Sequence, residues 1–372
     1  MLKGTLDIKG DLRPKSVAGT VRYVGANCAY TTIQSAITAS SAGDTILVAP
    51  GTYTEAITYS VDNLTIKAIG SYVDTIITQA AATTVDFSTM SNCVLEGFTV
   101  SVTAADGDAD YTLYGNNDGT TSDTANIIKS CKLVHTSTAD ISQNICAEIL
   151  DGYWEFRDCK IVVSNTNASG GQCFFMESYS GTPDGIKVYN CDFDIDNSET
   201  GSALGDFCFQ IKTGTLDIWN SKIDIQSANT STSENAAILN YSTGTINIYN
   251  SSVRVVSSGS ASTYGIAWLG AAASICNSYN NSINSDNSDG DEKWINIGAT
   301  ATFNSYGDTV ISGVSSGAGT INLYNTPKAG DVGYQCVSSG TTGGSGSAAS
   351  GKNYVNVVIN GTTRKLFYDT AA

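Results

Sequence analysis

The sequence predicts an all-β chain folded as a parallel β-helix, and two features of it carry that prediction. A short phrase returns about every thirty residues, as Tyr189-Asn190-Cys191, Trp219-Asn220-Ser221, Tyr249-Asn250-Ser251 and Tyr279-Asn280-Asn281. A fixed period of this length is typical of a solenoid, in which each repeat buries its apolar side only against its neighbours. The composition agrees, because only 15% of the 372 residues are charged and four are Pro, while Gly, Ser, Thr and Asn separate the apolar residues. Such a chain favours many short strands joined by tight turns.

Each repeat contains three strand-like segments, which gives three strands per coil. Two of them alternate apolar and polar residues with period two on either side of the Asn. They lie at 186–188, 216–218 and 246–248 before the Asn, and at 193–195, 223–225 and 253–255 after it. A third apolar stretch precedes them, at 145–146, 174–175, 207–209, 238–239 and 266–268.

The residues between the strands also have predicted roles. Asn suits a left-handed bend, which most side chains resist, and stacked Asn side chains could form a hydrogen-bonded ladder. Cys131, Cys159 and Cys191 begin matching strands, and Ser221 and Ser251 replace them later. The position therefore requires a small side chain, and we interpret these cysteines as buried free thiols rather than disulfides or metal ligands.

The N-terminal part predicts a cap for the first coil. Thr31 and Gln34 have capping-box spacing, and Ile33, Ala36 and Ile37 give one apolar face to a short helix. Such a helix would cover the strand edges of the first coil, which would otherwise attract other chains.

This helix and the residues that follow it carry a resemblance to a known superfamily. The segments are 30–37 (YTTIQSAI), 43–48 (GDTILV) and 50–55 (PGTYTE). Together they resemble the opening of right-handed parallel β-helix proteins of the pectin lyase-like superfamily, and the repeats extend the resemblance to about residue 328. The superfamily includes lyases, hydrolases, esterases, phage tailspikes and proteins without catalysis, so the resemblance implies the fold and leaves the activity open.

Four regions follow from these patterns. Residues 1–24 are predicted as an attachment arm, 25–328 as the β-helix, 329–352 as a Gly/Ser-rich linker, and 353–372 as a C-terminal hairpin around Asn360-Gly361. Both ends are too small to fold alone, so we expect them to attach the protein to something else.

Charge and targeting features restrict the partners. The formal net charge of −16 excludes nucleic acid and anionic membranes, because phosphates and anionic lipids would repel the chain. Residues 1–15 contain no apolar stretch of signal-peptide length, so we expect synthesis in a host cytoplasm. No metal site or cofactor is predicted from the single His135 and the absence of a CxxC pair. Calcium remains an open alternative, because two acidic turns, at 106–110 and 286–292, are rich in the oxygen ligands that this ion prefers.

Acidic side chains on the second strand of the repeat raise the question of catalysis. Asp192, Asp194 and Asp196 alternate with apolar residues, and Asp194 should face Asp224 and then Arg254 in successive coils. Adjacent coils would hold Asp194 and Asp224 about 5 Å apart, near the separation of a retaining glycosidase pair. A surface charge ladder is the alternative that we favour. We therefore predict no catalytic residue.

The aromatic residues of the repeat are the predicted binding site. Because Val188, Ile218 and Ile248 should point inward, the next residue in each repeat should point outward. The site residues are Tyr189, Trp219, Tyr249 and Tyr279. An exposed aromatic column indicates a glycan-binding site, an interface with a subunit or partner, or a stack that only stabilises the bend.

Together these features predict a non-enzymatic phage virion protein, such as a capsid decoration protein, head fibre or short tail spike. It would contact other virion proteins and bind host glycans through the aromatic column. The resemblance to spikes implies a homotrimer. The alternative is a tailspike-like polysaccharide depolymerase, a lyase or glycoside hydrolase; a bacterial adhesin is a third hypothesis.

Overall fold

The computed structural model describes most of the chain between residues 19 and 324, together with a C-terminal strand pair. The described ranges are 19–80, 82–104, 110–116, 121–137, 143–165, 172–178, 185–198, 205–228, 235–240, 242–258, 263–269, 274–287, 292–298, 300–310, 314–317, 320–324, 353–359 and 362–368. The predicted linker 329–352 and residues 1–18 of the predicted arm lie outside these ranges.

The chain winds through three parallel sheets, visiting each sheet once per coil. Sheet 1 has twelve strands: Val21–Val24, Thr45–Val48, Thr65–Ala68, Val94–Glu96, Asn126–Lys129, Tyr153–Arg157, Gly185–Tyr189, Thr215–Trp219, Thr245–Tyr249, Ile275–Tyr279, Thr302–Tyr306 and Thr320–Tyr324. Sheet 2 has ten: Gly51–Thr54, Thr75–Ala80, Thr99–Ala104, Lys132–Ser137, Lys160–Asn165, Asp192–Asn197, Lys222–Ser227, Ser252–Ser257, Ser282–Asn287 and Thr309–Val310. Sheet 3 also has ten: Ile57–Thr58, Val85–Asp86, Leu113–Asn116, Gln143–Asp151, Gln172–Ser178, Phe207–Ile211, Asn235–Asn240, Thr263–Leu269, Glu292–Ile297 and Val314–Gly317.

The register of sheet 1 places matching residues of the repeat directly above one another. Ile186, Leu216 and Ile246 are register partners, as are Val188, Ile218 and Ile248, and all six are buried. Intervening residues point outward because side chains alternate along a strand. The predicted parallel β-helix with three strands per coil is confirmed.

The bend between sheets 1 and 2 is left-handed at the predicted Asn. Asn190, Asn220, Asn250 and Asn280 have φ angles between 48° and 53°. Asn tolerates this region better than most residues because its short side chain can hydrogen-bond locally. A ladder between these side chains is present in part, since Asn280 Nδ2 donates to Asn250 Oδ1 at 3.5 Å.

A short helix, Ile33–Thr38, closes the N-terminal end as predicted, but its cap differs from the prediction. Thr32 is the N-cap and accepts from Ser35 N–H at 3.3 Å, and the Gln34 side chain instead bonds the backbone of Thr58. Glu55 of the next coil supplies the acid, accepting from the N–H groups of Ile33 and Gln34 at 2.8 and 3.0 Å. The predicted capping box of Thr31 and Gln34 was wrong, because the carboxylate that caps the helix, that of Glu55, is distant in sequence. A second short helix, the 3₁₀ turn Ser122–Thr124, lies between sheets 3 and 1.

Asp44 joins the first strand of sheet 1 to the end of the capping helix. Its carboxylate accepts from the N–H groups of Thr20 and Ser41 at 2.6 and 2.7 Å and pairs with Arg22, which also donates to the Ala39 carbonyl. Burial raises the pKa of this carboxyl, but the hydrogen bonds outweigh burial and the pKa lies below its usual value. The coil therefore starts at Val21, inside the span 1–24 predicted as an arm, since four alternating residues were too few to show a strand.

A polar column runs through the interior at the predicted Cys/Ser position. The Cys191 N–H donates to Ser221 Oγ at 3.1 Å, and the Ser221 N–H donates to Ser251 Oγ at 3.1 Å. Asn281 and Asp308 continue the series, each accepting the preceding N–H at 2.7 Å. Small hydroxyl and amide groups therefore satisfy backbone donors that a bend would otherwise leave unpaired.

The cysteines of the described residues are free, as predicted. Seven of the eight are buried: Cys93, Cys131, Cys146, Cys159, Cys191, Cys208 and Cys276. Burial raises the pKa of the Cys131 thiol to about 12, so it stays protonated and inert at neutral pH.

His135 is fully buried among apolar neighbours. It points into the core from sheet 2, between Val102 and Val163 in register, and neither ring nitrogen has a hydrogen-bond partner. Burial lowers its pKa to about 4, so the ring is neutral at pH 7.

The predicted C-terminal hairpin is present. Asn353–Ile359 pairs antiparallel with Thr362–Tyr368, with Ile359 and Thr362 as register partners. Within the described ranges, no helix has the length and apolar character needed to cross a membrane.

Candidate functional site

The four predicted site residues form one continuous stack on the outer face of sheet 1. The centroids of Tyr189 and Trp219 are 4.6 Å apart, those of Trp219 and Tyr249 5.3 Å, and those of Tyr249 and Tyr279 4.7 Å. Interplanar angles are 6° or 7°, so the rings lie nearly parallel. The structure therefore brings all four predicted residues together.

The stack is longer than predicted at both ends. Tyr306 stacks on Tyr279 at 4.6 Å and 6°. At the other end, the guanidinium carbon of Arg157 lies 5.6 Å from the centroid of the Tyr189 ring. Arg157 is the register partner of Tyr189 in the preceding coil, so a cation covers the ring face that begins the stack.

Parallel stacking determines which part of each ring a partner can reach. Each of Trp219, Tyr249 and Tyr279 has a ring neighbour on both faces at a distance typical of stacked aromatic pairs. All are half-buried, so their edges and hydroxyl groups face outward while their faces are covered. The column therefore offers a flat strip of ring edges.

A ladder of side-chain amides runs beside the rings, two residues earlier in each strand. Asn247 Nδ2 donates to Asp217 Oδ1 at 2.7 Å, and Asn277 Nδ2 donates to Asn247 Oδ1 at 2.8 Å. Asn304 and Asn322 continue the ladder at 2.7 and 2.8 Å. Each amide keeps a second N–H and lone pair for other partners.

We call these two columns the ring–amide face, defined by Tyr189, Trp219, Tyr249, Tyr279 and Tyr306 with Asn247, Asn277 and Asn304.

The rings and Asn side chains of the ring–amide face carry no charge at neutral pH, and the charged residues beside its first two rings, Lys187 and Asp217, are register partners of opposite sign. Burial raises the pKa of Tyr189, Tyr249 and Tyr279 above the ordinary value, which keeps their hydroxyl groups protonated. Charged residues of the same ring column lie in earlier coils, where Glu96 pairs with Lys67 at 2.9 Å and with Lys129 at 3.7 Å. On a chain of net charge −16, this face therefore carries little net charge.

Sequence reasoning missed the amide ladder and Tyr306, although a signal was present. Cys276-Asn277-Ser278-Tyr279 and Phe303-Asn304-Ser305-Tyr306 share Asn-Ser-Tyr, but at a spacing of 27 residues instead of 30. The strands Ile275–Tyr279 and Thr302–Tyr306 are register partners in sheet 1, although the loops between them are shorter than in the thirty-residue repeats.

The acidic side chains on sheet 2 pair with basic side chains of the same and adjacent coils. Asp194 is the register partner of Asp224, and Asp224 in turn receives Arg254 at 2.9 Å and Lys222 at 3.5 Å. Lys222 also lies 3.8 Å from Asp192. The paired Asp224 has its charge offset by two cations, which matches the ladder interpretation.

Much of the two acidic turns, 106–110 and 286–292, lies outside the described residues. In the ranges that are described, no group of three or more His, Cys, Asp or Glu side chains is placed to hold a metal ion.

No protein-family model and no curated protein matches the sequence. Solved structures that are similar include the pectin methylesterase PemA from Erwinia chrysanthemi, at 15% identity and a TM-score of 0.43, covering 67% of this chain and 82% of that one. The pectin methylesterase from Aspergillus niger, in penultimately deglycosylated form, shares 15% identity with a TM-score of 0.29 and covers 85% and 89%. Both similarities lie at 15% identity with TM-scores below 0.5, so the chemistry of this chain has to be argued from its own residues.

Proposed function

We propose that this protein is a non-enzymatic structural β-helix that associates with further copies of itself through the ring–amide face. Within that class we propose a phage decoration protein, head fibre or short spike, assembled as a homotrimer on a virion. The single observation that carries the proposal is the flat, uncharged column of stacked rings beside an amide ladder.

Electrostatics favour this face as the place where copies meet. Two copies with a net charge of −16 repel one another over most of their surfaces. Placing three copies of this face around a common threefold axis reduces that repulsion and removes half-buried rings from water. The second N–H of each Asn can then donate a hydrogen bond across the interface. This bond offsets the free-energy cost of removing the amide from water.

Ring geometry argues against a glycan platform along the column. Sugars that stack on aromatic residues need an open ring face, and the interior rings of this column have both faces covered. A flat protein surface can contact ring edges and amides together, so a protein partner fits the column better.

Sedimentation velocity of the full chain tests the proposal. We expect the wild type to form trimers, Tyr249→Lys to sediment as a monomer, and Gln226→Lys to behave like the wild type. Gln226 is an exposed residue on sheet 2, so this control adds the same charge outside the ring–amide face. Circular dichroism checks that both variants fold, and Tyr249→Ser repeats the test without an added charge.

Two outcomes would contradict the proposal. A wild type that stays monomeric at about 100 μM has no self-association to explain. A Tyr249→Lys variant that assembles as the wild type does would place the interface elsewhere.

A polysaccharide-acting enzyme is the second candidate, and Asp196 is the observation that favours it. Partial desolvation and the neighbouring Asp194 raise the pKa of Asp196, and an acid with a raised pKa beside a second carboxyl group is the arrangement that acid–base catalysis uses. Incubation with a panel of acidic polysaccharides should then release unsaturated or reducing ends, and Asp194→Asn should abolish that release. Absence of new ends from every substrate would remove this candidate.

A further inference from the structure

The five stacked rings of the ring–amide face form an unbroken series of oxidisable side chains. We call this series the ring column: Tyr189, Trp219, Tyr249, Tyr279 and Tyr306. Of the side-chain rings in proteins, phenol and indole lose an electron most readily, and every member of the column is one of the two. Successive centroids lie 4.6 to 5.3 Å apart with interplanar angles of 6° or 7°. Neighbouring rings are therefore at the separation of stacked pairs, where an electron passes between them most easily.

The column also has a route for the protons that oxidation releases. A phenol that loses an electron becomes strongly acidic, so tyrosine is oxidised at neutral pH only where its hydroxyl proton has an acceptor. The rings of the column are half-buried and their edges face outward, so water can accept these protons. Tyr59 shows the contrast, because it stacks on Phe87 at 4.3 Å but is buried, and its hydroxyl donates to the Val94 carbonyl at 3.0 Å.

The aromatic contacts of the core have a different chemistry. Phe156, Phe175, Phe193 and Phe209 contact one another with centroids 4.8 to 5.4 Å apart. A phenylalanine ring has no hydroxyl group and is much harder to oxidise than a phenol or an indole. These four core rings, although equally close together, therefore form no comparable path for an electron.

Trp219 is placed to pass its oxidation on in either direction. The indole has a phenol on each face, with Tyr189 at 4.6 Å and Tyr249 at 5.3 Å between centroids. Both neighbours are register partners of Trp219 in the adjacent coils, so the backbone hydrogen bonds of sheet 1 hold the three rings in this order.

We propose that the ring column relays a one-electron oxidation along the outer face of sheet 1. A one-electron oxidant takes an electron from Trp219, and the indole N–H proton passes to water, which leaves an indolyl radical. Tyr249 then supplies an electron to the indole and its hydroxyl proton to water, while the indole nitrogen regains a proton from water. The indole is restored and a phenoxyl radical is left on Tyr249. The same exchange of one electron and one proton between phenols carries the radical on to Tyr279 and Tyr306.

The relay is a property of a single chain and does not depend on self-association. Each step joins rings of the same chain, and the protons go to and come from water. A monomeric protein would therefore relay the oxidation as an assembled one does.

Pulse radiolysis of the full chain with the azide radical tests the proposal, because this oxidant takes an electron from tryptophan and the two product radicals have distinct absorption bands. In the wild type, indolyl absorption should decay as phenoxyl absorption grows, at a rate independent of protein concentration. In the double variant Tyr189→Phe/Tyr249→Phe this phase should slow by about tenfold or more, because Phe keeps the stacking but supplies no electron. Trp219→Phe should remove the phase.

Tyr111→Phe/Tyr114→Phe is the matched control. It removes two phenols that stack on each other outside the column, with centroids 6.0 Å apart, and should keep the wild-type rate. Near-ultraviolet circular dichroism checks that the variants keep their folded aromatic environment.

Three results would overturn the proposal. One is an equal rate in the wild type and Tyr189→Phe/Tyr249→Phe, and another is a phase that persists in Trp219→Phe. The third is a rate that rises in proportion to protein concentration, since the radical would then pass between molecules rather than along the column.

Discussion

Replacing His135 with Val should make the protein more stable and less sensitive to acid. The ring is fully buried, and its two nitrogens lack hydrogen-bond partners. Removing an unsatisfied buried polar group is worth about 1–3 kcal/mol. Val102 and Val163, the register partners in the adjacent coils, show that Val fits the position.

The acid sensitivity follows from the pKa of the same ring. Burial lowers it from 6.5 to about 4 in the folded protein. The unfolded chain therefore binds a proton as the pH falls below about 6.5 while the folded chain does not, so stability is lost between pH 7 and pH 4. Each pKa unit corresponds to about 1.4 kcal/mol, so about 2.5 kcal/mol is lost by pH 4.5.

Urea unfolding at pH 7 and pH 4.5 measures both effects. The difference in unfolding free energy between the two pH values should be about 2.5 kcal/mol smaller in His135→Val than in the wild type. His135→Gln is the matched control: it removes the titration but keeps a buried polar group, so it should lose the pH effect without the gain at pH 7. Equal pH dependence in the wild type and both variants would refute the reasoning, as would a ring that titrates near 6.5 by NMR.

Three further predictions concern the bend, the thiols and the N-terminal cap. Asn250→Ala should destabilise the coil by about 1–2 kcal/mol and Asn250→Gly by less, because φ is 48° and Ala resists that region; thermal melts compare them. The buried thiols should resist a thiol reagent in the native protein and react in 6 M guanidinium, as absorbance would show. Asp44→Asn should weaken the protein at neutral pH and flatten its acid unfolding curve, because a lowered folded pKa gives stability that is present above the unfolded pKa and lost as the pH falls through the folded value.

Each of these has an outcome that would contradict it. Ala and Gly variants of Asn250 with equal melting temperatures would remove the backbone explanation. Rapid native labelling of more than the half-buried Cys28 and the two cysteines whose side chains are not described, Cys173 and Cys336, would mean that the core opens readily. An acid unfolding midpoint unchanged in Asp44→Asn would assign the acid sensitivity to other carboxylates.

The β-helix could be predicted from the sequence because the residues that repeat are the same ones that contact each other in successive coils. Val188 and Ile218 alternate with Tyr189 and Trp219 at a fixed spacing, so burial, direction and stacking could all be predicted. The same logic placed Asn220 in a left-handed bend.

The features that were not predicted depend on contacts between residues in different coils, and the coils differ in length. Tyr306 follows Tyr279 by 27 residues, so a search at thirty passes over it. Glu55 caps a helix that begins 22 residues earlier, and no local spacing rule connects the two. The covered ring faces required the actual ring planes, since an outward direction alone cannot distinguish a platform from a stack.

The carboxylate that caps the first helix also fixes an order of assembly. Glu55 reaches the N–H groups of Ile33 and Gln34, so the cap can form once residue 55 has left the ribosome. Each later coil pairs with the coil made just before it, as the sequential order of strands in sheet 1 shows. Contacts in this parallel sheet thus stay within about one coil in sequence, which shortens the loops that folding must close. The N-terminal cap acts as a template, and the protein can be built in the direction of its own synthesis, one coil at a time.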